Sequence, residues 1–312
     1  MEKIDLLQDT VSHLQAETLD DVELTLDLGA LTIDEQTNES FDDLIARQAR
    51  VPGPLLPLRN CRHVLRVGGT LRLTNPHMGA SDARYRERQE ILLNAAGLVD
   101  PRVVREQPLV VEARKRPLIR EEHEFGMVVR EVVLPDEIAK THEFARQYYF
   151  FKDFNYDLEV TRQFDLNTDV IVSCDKNGEI VALARIGLRV PGYNCPFMFA
   201  VTEDGSHYRV PPRFRRIGEV MAIYKEGRSG VVGYKRLMEY ITQYAPQIAH
   251  ADGIWTTNDV NDPYTGNYYK TKFMMEEMGV KLTYRDFGGK WNLLCTEKIQ
   301  ELEGIHRGLF RQ

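Results

Sequence analysis

The stretch from Val170 to Leu188 constrains this chain most. Val170–Cys174 and Ile180–Leu188 are apolar runs of strand length, separated by Asp175, Lys176, Asn177 and Gly178. An Asn-Gly step between two such runs marks a hairpin, because a tight turn needs positive φ at its centre. The surrounding segments extend this pattern. Glu124–Leu134 alternates as a strand, and Pro135, Asp136 and Glu137 open a helix with acids in its first turn, continuing over Ile138–Phe151. Ile217–Tyr224 is expected as a strand, Gly230–Tyr244 as a helix and Gly253–Thr257 as a strand. Tyr264–Met278 is expected as a helix ending at Gly279, and Trp291–Cys295 as a final strand.

A chain of 312 residues has room for two domains at roughly 100–200 residues each. The charged stretch Glu112–Pro117 is the expected boundary, with one domain over 1–117 and a second over 118–312. Before it, Val22–Leu26 reads as a strand, Phe41–Ala46 as a short strand or helix start, and Leu58–Leu65 as a helix stopped by Gly68 and Gly69. Thr70–Thr74 follows as a strand, Asp82–Ala96 as a helix ended by Gly97, and Val103–Ala113 as strand material. The fold class expected is α/β, of the α+β kind.

Two passages of the first domain carry a resemblance. Cys61–Leu73, CRHVLRVGGTLRL, is similar to the R-x-L-(R/K)-P-G-G-x-L passage of class I S-adenosylmethionine-dependent methyltransferases, and Ile91–Leu98 is similar to their LL-x-x-A-G-F helix end. The resemblance covers only the back half of that fold. The glycine-rich cofactor loop it requires is missing; Asp27–Ala30 is the nearest stretch and holds one glycine. A truncated, non-catalytic half domain is therefore expected.

The second domain resembles another family. Its element order is that of the GNAT fold, in which a splayed central sheet opens a slot for a pantetheine arm. Phe164–Ile186 is similar to the D-x…L-V-x-x-D-x-x-G-x-V-V-G-x-x-R-L run of N-acyl-homoserine-lactone synthases and N-acyl amino acid synthases. Ile217–Ile223 is similar to their E-x-S-R-x-x-V strand. The resemblance implies a GNAT-like central mixed sheet flanked by helices. It also implies a phosphate-binding loop at a helix N-terminus, matched here by Gly227–Gly233 with altered glycine spacing.

On that basis the donor is an acyl-CoA or acyl-carrier-protein thioester, and the acceptor is the amine of an amino acid or related metabolite. Glu219 is the candidate base, since it stands among Ile217, Val220 and Ile223; a surface strand carboxylate is the alternative. Tyr269 is the candidate acid for the departing thiolate, with Tyr268 beside it. Ala222, Ile223, Arg228, Ser229, Gly230 and Gly233 are expected against the donor. Arg185, on an otherwise apolar strand, can hold an acceptor carboxylate or a structural ion pair, and Trp255 is expected at the substrate. Arg213, Arg215 and Arg216 form a basic patch able to dock an acyl-carrier protein, or an ordinary solvated face.

The remaining features limit other functions. The four cysteines are far apart without a CxxC pair and the histidines are scattered, so no metal is expected. A net charge of −7 disfavours nucleic acid as a partner. No apolar run of about 18 residues is present, so no membrane span is expected. The Met1–Asp5 start lacks an apolar signal core, which makes the cytoplasm the expected compartment. Two alternatives stay open: a scaffold built from two degenerate enzyme folds, and a S-adenosylmethionine-dependent methyltransferase.

Overall fold

The computed structural model describes residues 19–26, 55–76, 83–123, 126–190, 194–214, 216–247, 251–284 and 288–297. The chain separates into two compact units, Met1–Leu118 with Val190–Tyr193, and Ile119–Arg189 with Asn194–Gln312. Phe41–Ala46 and Asp27–Ala30 lie outside the described residues.

The first unit holds strands β1 (Leu19–Thr25), β2 (Leu65–Asn75), β3 (Leu98–Glu106) and β4 (Leu109–Lys115), with helices α1 (Leu55–Val64) and α2 (Ala83–Ala95). Its sheet runs β1-β2-β4-β3, parallel between β1 and β2 and antiparallel elsewhere. Three expectations change here. Gly68 and Gly69 do not stop a helix; they lie inside β2, where pairing to β1 shifts between Leu19 and Asp21. Val103–Ala113 is not one strand, because the chain reverses after Glu106 to form the β3–β4 hairpin. Glu112–Pro117 is not a linker, since its first four residues complete β4. Charge does not exclude them from a central strand because the buried charges are met and Arg114 is exposed: Glu112 accepts from Arg72 and Arg102 at 2.7 Å, and Lys115 Nζ donates to Leu65 O at 2.6 Å.

The second unit is built on a nine-stranded sheet, adding β5 (Arg120–Glu122), β6 (Val128–Val132), β7 (Thr168–Cys174), β8 (Ile180–Leu188) and β9 (Val201–Thr202). Its C-terminal strands are β10 (Ile217–Tyr224), β11 (Gly253–Asp259), β12 (Glu276–Tyr284) and β13 (Gly288–Thr296). The order is β5-β6-β7-β8-β10-β11-β13-β12-β9. The β7–β8 hairpin forms as expected, with Gly178 at φ +80 and Asp175 Oδ1 accepting from the Asn177 and Glu179 amides.

Among the described residues, α3 (Pro135–Phe151), α4 (Leu158–Arg162), α5 (Arg228–Gln247) and α6 (Pro263–Lys272) are the α-helices of the unit. In α5, Tyr234, Leu237, Met238 and Ile241 recur at helical spacing and are buried, giving the helix one apolar face for the sheet. A Cβ at Gly233 would lie 2.7 Å from Val181 Cγ2, so glycine lets α5 approach the sheet closely. The expected Tyr264–Met278 helix is too long. It ends at Lys272, and Glu276–Tyr284 is strand β12 paired with β13. Gly279 sits in that strand where pairing shifts between Glu277 and Lys281, a break that mimics a helix stop in sequence. Among the described residues no helix is long and apolar enough to cross a membrane.

Candidate active site

Strand β10 has unlike neighbours. Toward β8 it pairs without interruption from Gly218 with Leu188 to Tyr224 with Ala182. Toward β11 the pairing is parallel and covers only Ile217–Glu219 against Gly253–Trp255. One residue past the last pair, Thr256 Oγ1 donates to Val220 O at 2.7 Å, so a side chain replaces the ladder there. The strands then part.

No family model and no curated protein matches the chain. Solved structures similar to it include FeeM, an N-acyl amino acid synthase from uncultured soil microbes, at 12% identity and TM-score 0.43, over 61% of this chain and 99% of that one. A GNAT-family acetyltransferase from Streptococcus pneumoniae is similar at 15% identity and TM-score 0.36, over 55% and 98%. Arabidopsis thaliana NAA60, in complex with acetyl-CoA, is similar at 10% identity and TM-score 0.38, over 55% and 97%.

The split between β10 and β11 opens into a cavity of about 410 Å³. Glu219, Met221, Ala222, Ile223 and Tyr224 of β10 line it, as do Thr257, Asn258 and Asp259 of β11. Tyr269 of α6 and Arg185 of β8 line the same space. Five expected residues therefore share one cavity: Glu219, Ala222, Ile223, Tyr269 and Arg185.

Glu219 is buried at 6% exposure, in the last residue pair before the strands part. It is not a surface strand carboxylate. Its Oε2 accepts from the Phe197 amide at 2.8 Å and its Oε1 from Tyr284 Oη at 3.1 Å. Because Tyr284 spends its one proton on the carboxylate, its 3.3 Å contact with Thr257 Oγ1 must be accepted from the threonine. Hydrogen bonds to a charged group contribute about 1.5–3 kcal/mol each, which offsets part of the cost of burying the carboxylate.

Tyr269 is buried at 3% exposure. Its Oη accepts from Tyr234 Oη at 3.3 Å and also hydrogen-bonds the Thr256 side chain, keeping its own phenolic proton. Burial raises the Tyr269 phenol above its ordinary value, so it holds that proton at neutral pH. Cys195 lies close by at zero exposure, its Sγ 3.5 Å from Gly187 O. Burial and the nearby Glu219 push its thiol well up, so it does not supply a thiolate nucleophile.

Other expected residues lie elsewhere. Trp255 does not line the cavity; it is fully buried, stacked on Phe197 at 5.8 Å and edge-on to Phe214 at 4.6 Å. A large apolar ring gains more from that aromatic core than from a wet site, so it supports Phe197, the donor to Glu219. Arg228, Ser229 and Gly230 begin α5, and the cavity wall reaches Tyr224 and Glu226 just before them. Gly233 is accounted for by its contact with Val181. In the basic patch, Arg213 pairs with Glu297 at 2.6 Å, and Arg215 lies outside the described residues.

Sequence reasoning found Arg185 but missed the polar groups behind it. Arg185 is buried at 4% exposure, and its Nη2 hydrogen-bonds Asp165 Oδ1. His142 Nε2 lies 3.0 Å from Asp165 Oδ2, and His142 Nδ1 lies 2.7 Å from Tyr156 Oη. Burial opposes the charge on Asp165, but Arg185 and His142 outweigh it and hold the carboxyl below its usual value. Arg185 Nη1 is buried with no hydrogen-bond partner in the protein. Asp165 opens the run quoted for the family resemblance, which was a usable signal; His142 and Tyr156, 23 and 9 residues earlier, gave none.

Proposed function

We propose that the second unit is an N-acyltransferase, moving an acyl group from a thioester to an amine. The observation that carries this reading is Glu219, a buried and doubly hydrogen-bonded carboxylate at the point where β10 and β11 part. An extended thioester arm fits beside Met221–Tyr224, where β10 is paired with β8 alone and has no partner on its β11 side. The amine nitrogen attacks the thioester carbonyl, and Glu219 takes its proton directly or through one water. As the carbon–sulfur bond breaks, the thiolate takes the Tyr269 proton. The products are an amide and a free thiol.

The donor is acyl-CoA or an acyl-carrier-protein thioester, with Arg228 and Ser229 at the start of α5 meeting its phosphate. The acceptor is an amino acid or related amine. The open cleft, with Glu219 and Arg185 in its largely apolar wall, supports this reading over a scaffold, whose cleft would be filled. For the first unit we propose a non-catalytic methyltransferase-like half domain; calorimetric binding of S-adenosylmethionine would overturn that. The acyltransferase reading is tested by incubating the purified protein with a panel of acyl-CoA and acyl-carrier-protein thioesters, with and without amines, and following free thiol. Amine-dependent release is expected; no release above background with any donor sinks it.

A further inference from the structure

The acyl-transfer steps leave one polar group in the cavity without a task. Arg185 lines the cavity with Thr161, Phe164 and Thr168, and its side chain is 4% exposed. A buried guanidinium in a structural pair usually directs its donors at protein acceptors. Arg185 commits Nη2 to Asp165, while Nη1 has no protein partner.

The groups behind Arg185 fix its position without meeting that second arm. Asp165 is held through both oxygens by His142 Nε2, at 3.1 and 3.0 Å. His142 bridges the chain through both ring nitrogens: Nε2 meets Asp165, and Nδ1 meets the Tyr156 hydroxyl at 2.7 Å. Tyr156 in turn stacks on Tyr149, with ring centroids 5.7 Å apart and an interplanar angle of 14°. Tyr149 lines the cavity and donates to Met221 Sδ at 3.1 Å, so the chain is anchored on β10. Four side chains, His142 and Tyr149 from α3 and Tyr156 and Asp165 from the chain that follows it, thereby hold one guanidinium rigid, with one arm to spare.

We propose that Arg185 Nη1 receives a carboxylate of the acceptor, and that Asp165, His142 and Tyr156 are the positioning residues that aim it. The acceptor class is then a carboxylate-bearing amine. This inference rests on the acyltransferase reading for its chemistry, but its recognition step is separable from turnover.

The test compares leucine with leucinamide, and phenylalanine with phenylalaninamide, as acceptors in the thiol-release assay. The carboxylates are expected to be preferred by about 10- to 100-fold in kcat/KM, mainly through KM, the range a charge-assisted hydrogen bond supplies. His142→Leu removes the donor to Asp165 and should erase most of that preference, while His142→Gln, which keeps an N–H donor, should restore part of it. Tyr156→Phe, a milder change, should reduce the preference by about threefold, a fraction of one hydrogen bond. A general folding defect would slow carboxylate and carboxamide alike and leave the ratio unchanged. Equilibrium binding of leucine and leucinamide to the free protein reads the same ratio without turnover. Thiol release that never occurs, with the binding preference intact, would sink the acyltransferase reading alone. Equal handling of carboxylate and carboxamide would overturn this inference, as would a full preference in both His142→Leu and Tyr156→Phe.

Discussion

The two flanks of β10 differ in one respect that organises the unit. Against β8 the strand is laddered along its length, and the paired residues Val220, Ile186 and Leu183 are buried. Against β11 the ladder lasts for three residue pairs and then gives way to a cavity. The closed flank buys rigidity, and the open flank exposes main-chain groups and one carboxylate to a ligand. A functional site placed on a strand held from one side combines both properties.

The largest expected effect breaks the open flank chemically. Glu219→Gln keeps the shape and an acceptor atom but removes the base, and should lower the acyl-transfer rate by about 10²–10⁴-fold in the thiol assay. A fall of less than threefold would remove Glu219 from the chemistry. Next, Trp255→Ala strikes the closed end of the β10–β11 pairing and should cost about 3–5 kcal/mol by denaturant unfolding. A loss below about 1 kcal/mol would mean that the aromatic stack with Phe197 and Phe214 does not hold the strands together.

What the sequence disclosed follows the same division. Local grammar exposed β7, β8, β10 and β11, because their turns and apolar runs are contiguous in the chain. Glu219 was readable as a charge inside an apolar strand. Tyr284, which binds it, was hidden because the helix expected over Tyr264–Met278 covers the start of β12, and only long-range pairing with β13 makes Glu276–Tyr284 a strand. Trp255 was misassigned for a related reason: its neighbours Phe197 and Phe214 come from distant segments. His142 and Tyr156 carry no spacing that announces a site, and only tertiary packing brings them to Asp165. In the first unit, Glu112 and Lys115 looked like a linker because their partners lie 40 and 50 residues upstream.

Two smaller effects refine the comparison. Tyr269→Phe should lower kcat by about tenfold if the phenol protonates the leaving thiolate. Because burial raises this group above its ordinary 10.0, it stays protonated across the working range. The wild-type kcat profile should therefore show no alkaline fall from Tyr269 below that value; such a fall, absent in Tyr269→Phe, would mean a phenol less buried than described. Thr256→Val removes the hydroxyl that covers Val220 O at the split, and should cost about 1 kcal/mol of stability. No loss would mean that the carbonyl is satisfied without it.

The most direct measurement is amide hydrogen exchange with and without an inert acyl-CoA thioether, in which a methylene separates the acyl carbonyl from sulfur. The account predicts slowed exchange in 221–224 and 257–259, along the open flank, with β8 residues 182–188 unchanged. Exchange that is unaltered along the open flank, or altered only outside the second unit, would contradict it.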